Sequence, residues 1–167
     1  ENFGEEILIP DATTNDIGVL LTSTFDINEH HTLQGGIRFD QRQLATQPYE
    51  TEGLTAGNQV IVVEGIDRDY SNFAFSLGYK TFLLEKITTR VNFASGFRAP
   101  NLAELTSFGI HHGTNRFEVG NPNLESEQNV QIDVSLEYGN EHIELFANGF
   151  YNHLNNYIFA SPTGNEI

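Results

Sequence analysis

Between Ser95 and Glu127 the chain reads Ser95-Gly96-Phe97-Arg98-Ala99-Pro100-Asn101-Leu102-Ala103-Glu104-Leu105, then Phe108-Gly109-Ile110-His111-His112-Gly113-Thr114, then Arg116-Phe117-Glu118-Val119-Gly120-Asn121-Pro122-Asn123-Leu124. This stretch has neither a strand's alternation nor a helix's apolar stripe, and Gly and Pro punctuate it. Connections this long inside a compact protein are uncommon and usually functional. The chain on both sides of it alternates like β-strand, so it reads as a long loop that strands hold up.

Upstream, Ile17, Val19, Leu21, Ser23 and Phe25 fall on one face of a strand starting at Asp16, with Gly18, Thr22, Thr24 and Asp26 on the other. Asn28-Glu29-His30 is a short turn into a second strand, His31 to Leu44, and the two make an antiparallel hairpin. A long connection, residues 45–70, follows, with a local strand expected at Gln59 to Val63. The third strand, Ser71 to Phe82, and the fourth, Ile87 to Phe97, are joined by a tight turn at Leu83 to Lys86. Beyond the 98–127 loop, Val130, Ile132, Val134, Leu136 and Tyr138 alternate with Gln131, Asp133, Ser135 and Glu137. A last strand spans about His142 to Ala160. Phe146, Phe150 and Tyr151 break its period, which predicts a bulge near Asn148-Gly149.

The expectation is therefore an all-β chain, an antiparallel meander of about six strands. Short turns and long loops alternate, which puts every long loop at one end of the sheet. Aromatics gather toward strand ends (Phe25, Phe39, Tyr79, Phe82, Phe97, Tyr138, Tyr151, Tyr157). Large transmembrane β-barrels have both features. Alternation alone fits a soluble β-sandwich acting as a ligand- or carbohydrate-binding module equally well, so the long loop has to separate the two.

Bulk composition removes other classes. A net charge of -15 over 167 residues leaves no basic stripe for nucleic acid. Without Cys there is no disulfide framework and no thiolate chemistry. No apolar run reaches the roughly 18 residues of a transmembrane helix, a test to which barrel strands are blind. The chain starts at Glu1 with neither Met nor a leader, so targeting information is expected to be missing or removed. No Gly-x-Ser-x-Gly elbow, calcium loop or phosphate-binding glycine motif occurs, and no enzyme is expected.

The paired boxes Phe97-Arg98-Ala99-Pro100 and Gly120-Asn121-Pro122-Asn123-Leu124, with His111 between them and Glu127 after, resemble the TonB-dependent outer-membrane receptor family. Phe150-Tyr151-Asn152 and Tyr157-Ile158 extend the likeness, which covers roughly residues 17–158. The resemblance implies a plug domain inside a barrel of about 22 strands, in the bacterial outer membrane, energised by the inner-membrane TonB complex. Residues 1–167 then correspond to a fragment of the C-terminal half of that barrel, lacking plug, TonB box, signal peptide and closing strand. An excised piece is expected to self-associate to hide its lipid face.

Within the family such boxes with an intervening His are associated with haem receptors, and similar boxes occur in siderophore, zinc and other metal importers. The resemblance thus makes haem or zinc a candidate transported ligand, with His111 and His112 as candidate metal ligands. A neutral imidazole binds either metal, and Glu104, Glu118, Glu125 and Glu127 would add oxygen donors suited to zinc. Arg98 and Glu118 are candidate ligand-contacting residues, and Arg98 is also expected to satisfy loop carbonyls or carboxylates such as Glu104 or Glu118. Pro100 ends strand pairing, Asn121-Pro122 returns the chain to the sheet, and Gly120 is expected to supply a positive φ. His30, His31 and His142 belong to the short-turn end, and His153 to the long-loop end. The acids Glu64, Asp67 and Asp69 are a weaker calcium candidate.

Overall fold

The computed structural model describes residues 9–52, 60–84, 86–111 and 116–162, with the backbone alone at 51, 52, 60 and 111. Six long strands form one antiparallel sheet in sequence order. They are β1 (Ala12–Asn28), β2 (His31–Thr46), β5 (Asp67–Leu84), β6 (Ile87–Arg98), β9 (Glu127–Gly139) and β10 (Glu144–Asn155). The loop after β2 carries a hairpin, β3 (Tyr49–Glu52) with β4 (Val60–Val63). The loop after β6 carries helix α1 (Leu102–Thr106) and a second hairpin, β7 (Phe108–His111) with β8 (Arg116–Val119).

Cross-strand register turns the alternation into two continuous faces. Val19 lies opposite Phe39, and Phe39 opposite Phe73. Leu77 lies opposite Phe93, Phe93 opposite Ile132, and Ile132 opposite Tyr151. Among the described residues no layer covers this apolar face: Ile17 is 71% exposed, Phe25 63% and Val134 42%. The other face is polar and carries ion pairs. Arg42 donates to Asp16 on the neighbouring strand at 2.7 and 2.9 Å, Arg38 to Asp40 on its own strand, and Arg90 to Glu137 at 2.8 Å. On β9 the polar side chains from Asn129 to Glu137 are less exposed than the apolar ones between them.

Buried apolar side chains are confined to the long-loop end. Leu44, Tyr70 and Leu105 are the buried hydrophobic residues among those described, with Ile66, Ala99, Leu102 and Leu124 packed against them. A sandwich would bury Val130, Ile132 and Val134 under a second sheet; here that surface is open. The stretch Ile17 to Ile27, at about 3.4 Å per residue and tilted by about 45°, rises about 24 Å, close to the apolar band of an outer-membrane barrel. The soluble-sandwich alternative does not describe this chain.

Several expectations need correction. The 98–127 connection contains a helix and a hairpin, because its short apolar pairs find partners within the loop and on the sheet. β5 starts at Asp67 rather than Ser71, since Asp67 to Tyr70 pair with Arg42 to Ala45. No bulge occurs at Asn148-Gly149: β10 keeps one register with β9 from Glu144 to Asn155. Phe146 and Phe150 instead sit on the polar face, opposite Glu137 and Asp133. Register shifts occur beside two short turns, at Asp26/Asn28 and at Phe82/Leu84.

Candidate functional site

Both long connections leave the same end of the sheet, as the meander requires: Ala45 is opposite Asp67, and Arg98 opposite Glu127. At that rim the 98–127 loop folds back over the polar face. Leu44 and Tyr70 are polar-face positions, and Leu105 of α1 is buried against them. Pro100 is also fully buried beneath the turn into the helix.

The helix start is fixed by a reciprocal pair. Asn101 Oδ1 accepts from the Glu104 amide at 2.9 Å, and Glu104 Oε2 accepts from the Asn101 amide at 2.8 Å. This is a capping box built on Asn, satisfying two amides that a short helix leaves unpaired. The returning arm locks onto the helix end: the Gly120 amide donates to Ser107 O at 2.6 Å and the Asn121 amide to Glu104 O at 2.8 Å. Asn121 Oδ1 then takes the Asn123 amide at 3.0 Å, forming the turn, and Leu124 O receives Tyr70 Oη at 3.2 Å and Arg68 Nη2 at 3.3 Å. Tyr49 Oη reaches Thr106 O at 3.4 Å, tying the first loop to the second; burial pushes its phenol pKa up.

Gly120 does not have a positive φ. Its role is close approach: a methyl group there would stand 2.6 Å from the carbonyl carbon of Leu105 and from the Thr106 amide nitrogen.

Arg98 joins the base of the loop to both arms. Its Nη1 donates to Glu104 at 2.8 and 2.9 Å, and its Nε to Glu127 Oε2 at 2.7 Å. Glu127 Oε1 accepts the Ile158 amide at 2.6 Å, adding the segment after β10. The apolar run of β9 ends at Val130, so this cluster stands above the belt. The Arg98 hydrogen bond, then that of Ile158, hold the Glu127 carboxyl below its ordinary pKa, and the two carboxylates hold Arg98 protonated more firmly.

The boxes are therefore brought together as one packed rim, with Phe97 on the apolar face opposite Gln128. Glu104 and Glu127, expected as oxygen donors to a metal, are engaged by Arg98, and Glu127 is a partner that sequence reasoning did not assign to that arginine. Glu118 lies in β8, opposite Gly109. The backbone of His111 lies opposite Arg116 at the tip of the β7–β8 hairpin, whose base is held by an edge-to-face contact of Phe108 and Phe117 at 5.1 Å. His112 and the side chain of His111 lie outside the described residues. Among the described residues no group of three or more His, Asp or Glu has metal-site geometry. His153 sits on the apolar face opposite Val130. Tyr49, Arg68, Tyr70 and Ser107 were missed as loop partners, although the Asn101-x-x-Glu104 spacing could have announced the helix.

The family model of the TonB dependent receptor-like β-barrel matches residues 3–167. The ferric aerobactin receptor of Klebsiella pneumoniae is 25% identical over 108 residues, covering 61% of this chain and 15% of that protein. Among solved structures, the copper transporter OprC superposes with a TM-score of 0.71 at 18% identity, over 87% of this chain and 22% of its own. A double mutant of the Serratia marcescens hemophore receptor HasR, in complex with its hemophore HasA and heme, gives 0.71 at 18% identity over 90% and 26%. The chain thus spans about a quarter or less of the relatives it matches. The six-stranded antiparallel sheet with one apolar and one polar face is superposable on these solved structures, and the chain belongs to the TonB-dependent receptor-like β-barrel family.

Proposed function

We propose that the chain is part of the barrel wall of an outer-membrane receptor that imports a scarce metal in chelated form, an iron-siderophore or haem, or as a metal ion such as zinc. Receptors of this family are transport proteins of the outer membrane that work with a plug domain and TonB. In this reading residues 1–167 belong to the C-terminal half of the barrel, with lipid against the apolar face and the plug in the lumen. Transport is energised by TonB displacing the plug, and the segment does no covalent chemistry. Alone, with two open edges and an apolar face, it self-associates.

The single observation that carries the reading is the sheet with two unlike faces: an exposed apolar face, an ion-paired polar face, and long loops at one rim. Arg98 acts there chiefly by organising the loop that presents the β7–β8 hairpin, and His111, His112 and Glu118 contact the cargo. The test is growth of a Gram-negative host dependent on the full-length receptor, with haem, zinc or a ferric siderophore as the limiting nutrient. Growth should require TonB, and replacing both His111 and His112 with Ala should reduce uptake of haem or zinc at least several-fold. Growth that persists without TonB would overturn the transport reading. Unchanged uptake of both in the double variant would retire the histidines.

A further inference from the structure

The ladder between β5 and β6 ends before either strand does. Its last rung is Ser76 opposite Ala94, yet β5 begins at Asp67 and β6 continues to Arg98. Beside that rung the Phe75 amide donates to the side chain of Ser95, at 3.1 Å to Oγ, where a main-chain carbonyl would ordinarily serve. On their other sides both strands stay in register, β5 with β2 up to Asp67 and β6 with β9 up to Arg98. Among the described residues, β5 above Phe75 has a strand neighbour on one side only.

In an antiparallel sheet alternate residues direct their N–H and C=O to one neighbour and the rest to the other. Phe75 turns its N–H toward β6, so Phe73, Ser71 and Asp69 do the same, where no strand of the described residues receives them. A cleft of about 550 Å³ runs along this edge, lined by the consecutive residues from Asp67 to Asn72. Consecutive residues point to opposite faces of a strand, so a cleft touching all of them borders the strand's edge. Glu125 and Asn156 are on its far side. Arg68, the cation in the lining, is spent on Leu124 O and the Tyr70 ring. Asp67 and Asp69, with Glu125 across the cleft, leave it acidic.

We propose that the open edge of β5 from Asp69 to Phe73 is a strand-addition site for an extended segment of a soluble extracellular protein. That segment carries basic side chains on the face toward Asp67, Asp69 and Glu125, and small or apolar ones on the face toward Tyr70 and Asn72. Main-chain pairing supplies affinity in such sites and alternate side chains supply selectivity. An anionic lipid headgroup is repelled by the three carboxylates and has no row of amides to pair with.

The test uses the full-length receptor in detergent micelles and, as probe, a fluorescent capped heptapeptide alternating Lys with Thr or Val. Saturable binding is expected. It should weaken at least tenfold when alternate amides of the peptide are N-methylated on one edge, and be lost when Glu replaces Lys. The variant Ser71→Pro removes an N–H on the open side while leaving the β2 ladder intact, and should also weaken binding at least tenfold. Asp69→Lys, which leaves every amide in place but cuts the three carboxylates to two and adds a cation, should weaken binding of the Lys peptide several-fold without abolishing its dependence on the peptide amides. Absence of saturable binding would overturn the proposal, as would binding indifferent to both N-methylation and Ser71→Pro. Membrane insertion and nutrient uptake, scored in the same variants, report separately on the receptor reading.

Discussion

Arg98 and Glu127 face each other as the last residue of β6 and the first of β9, with Arg98 Nε donating to Glu127 Oε2 at 2.7 Å. The pair closes the neck of a 28-residue excursion (residues 99–126), and both partners have second engagements, Arg98 with Glu104 and Glu127 with the Ile158 amide. The partly exposed guanidinium makes this pair more an organiser of loop geometry than a large store of energy.

The first prediction is a pH dependence. Glu127 is deprotonated in the folded rim and its pKa is lowered there, so the folded form takes up its proton less readily than the unfolded one. The stabilisation is fully present above the ordinary glutamate value of about 4.3 and is lost as pH falls through the lowered folded value. Hydrogen exchange in the full-length receptor should show Ile158 and the Gly120 and Asn121 amides protected at pH 6. Protection should decline below about pH 4. Glu127→Gln should remove this acid step; its survival would assign the step elsewhere.

The second concerns Gly120. Any side chain there meets the backbone of Leu105 and Thr106 at 2.6 Å, with no flexible atom to give way. Gly120→Ala should cost about 1–3 kcal/mol of loop docking, as overpacking does in a core. It should raise exchange at the Gly120 and Asn121 positions while the strands stay protected. An unchanged exchange pattern would show that the contact relaxes freely.

The third concerns the small buried cluster. Leu105→Ala should destabilise loop docking by about 2 kcal/mol, the low end for buried leucine because the cluster is small and near solvent. Limited proteolysis of the full-length receptor should find a new cleavage site within residues 99–126. The long strands of the sheet should stay uncleaved.

Legibility of the chain in its own sequence followed the number of residues carrying each signal. The six long strands and their common loop end were readable because Val130 to Tyr138, like Ile17 to Phe25, repeat a period-two pattern of apolar and polar side chains over many residues. The boxes Phe97 to Pro100 and Asn121 to Leu124 marked where chain leaves and rejoins the sheet. The interior of the loop was opaque because α1 and the β7–β8 hairpin are each a turn or two long, held by tertiary contacts such as Gly120 to Ser107 that have no local period. Phe146 and Phe150 misled for a related reason: apolar residues on the polar face imitate a phase change, whereas pairing to β9 fixes the register of β10.

The fourth prediction separates the two faces by charge. Val134→Lys puts an ammonium on the apolar face opposite Val91, and should cost about 2–4 kcal/mol in equilibrium folding of the receptor into lipid vesicles. Ser135→Lys, one residue on and facing the lumen, should cost far less. Equal penalties would mean that the faces do not differ in solvent.

The most direct measurement is spin-label accessibility along β9, one label at a time from position 129 to 137, with the full-length receptor in bilayers. Collisions with oxygen, which concentrates in hydrocarbon, should peak at 130, 132, 134 and 136. Collisions with a water-soluble nickel chelate should peak at 129, 131, 133, 135 and 137, out of phase with the first. In-phase profiles, or even-numbered positions shielded from both reagents, would mean that no hydrocarbon lies against Val130, Ile132 and Val134, and the barrel-wall account would be wrong.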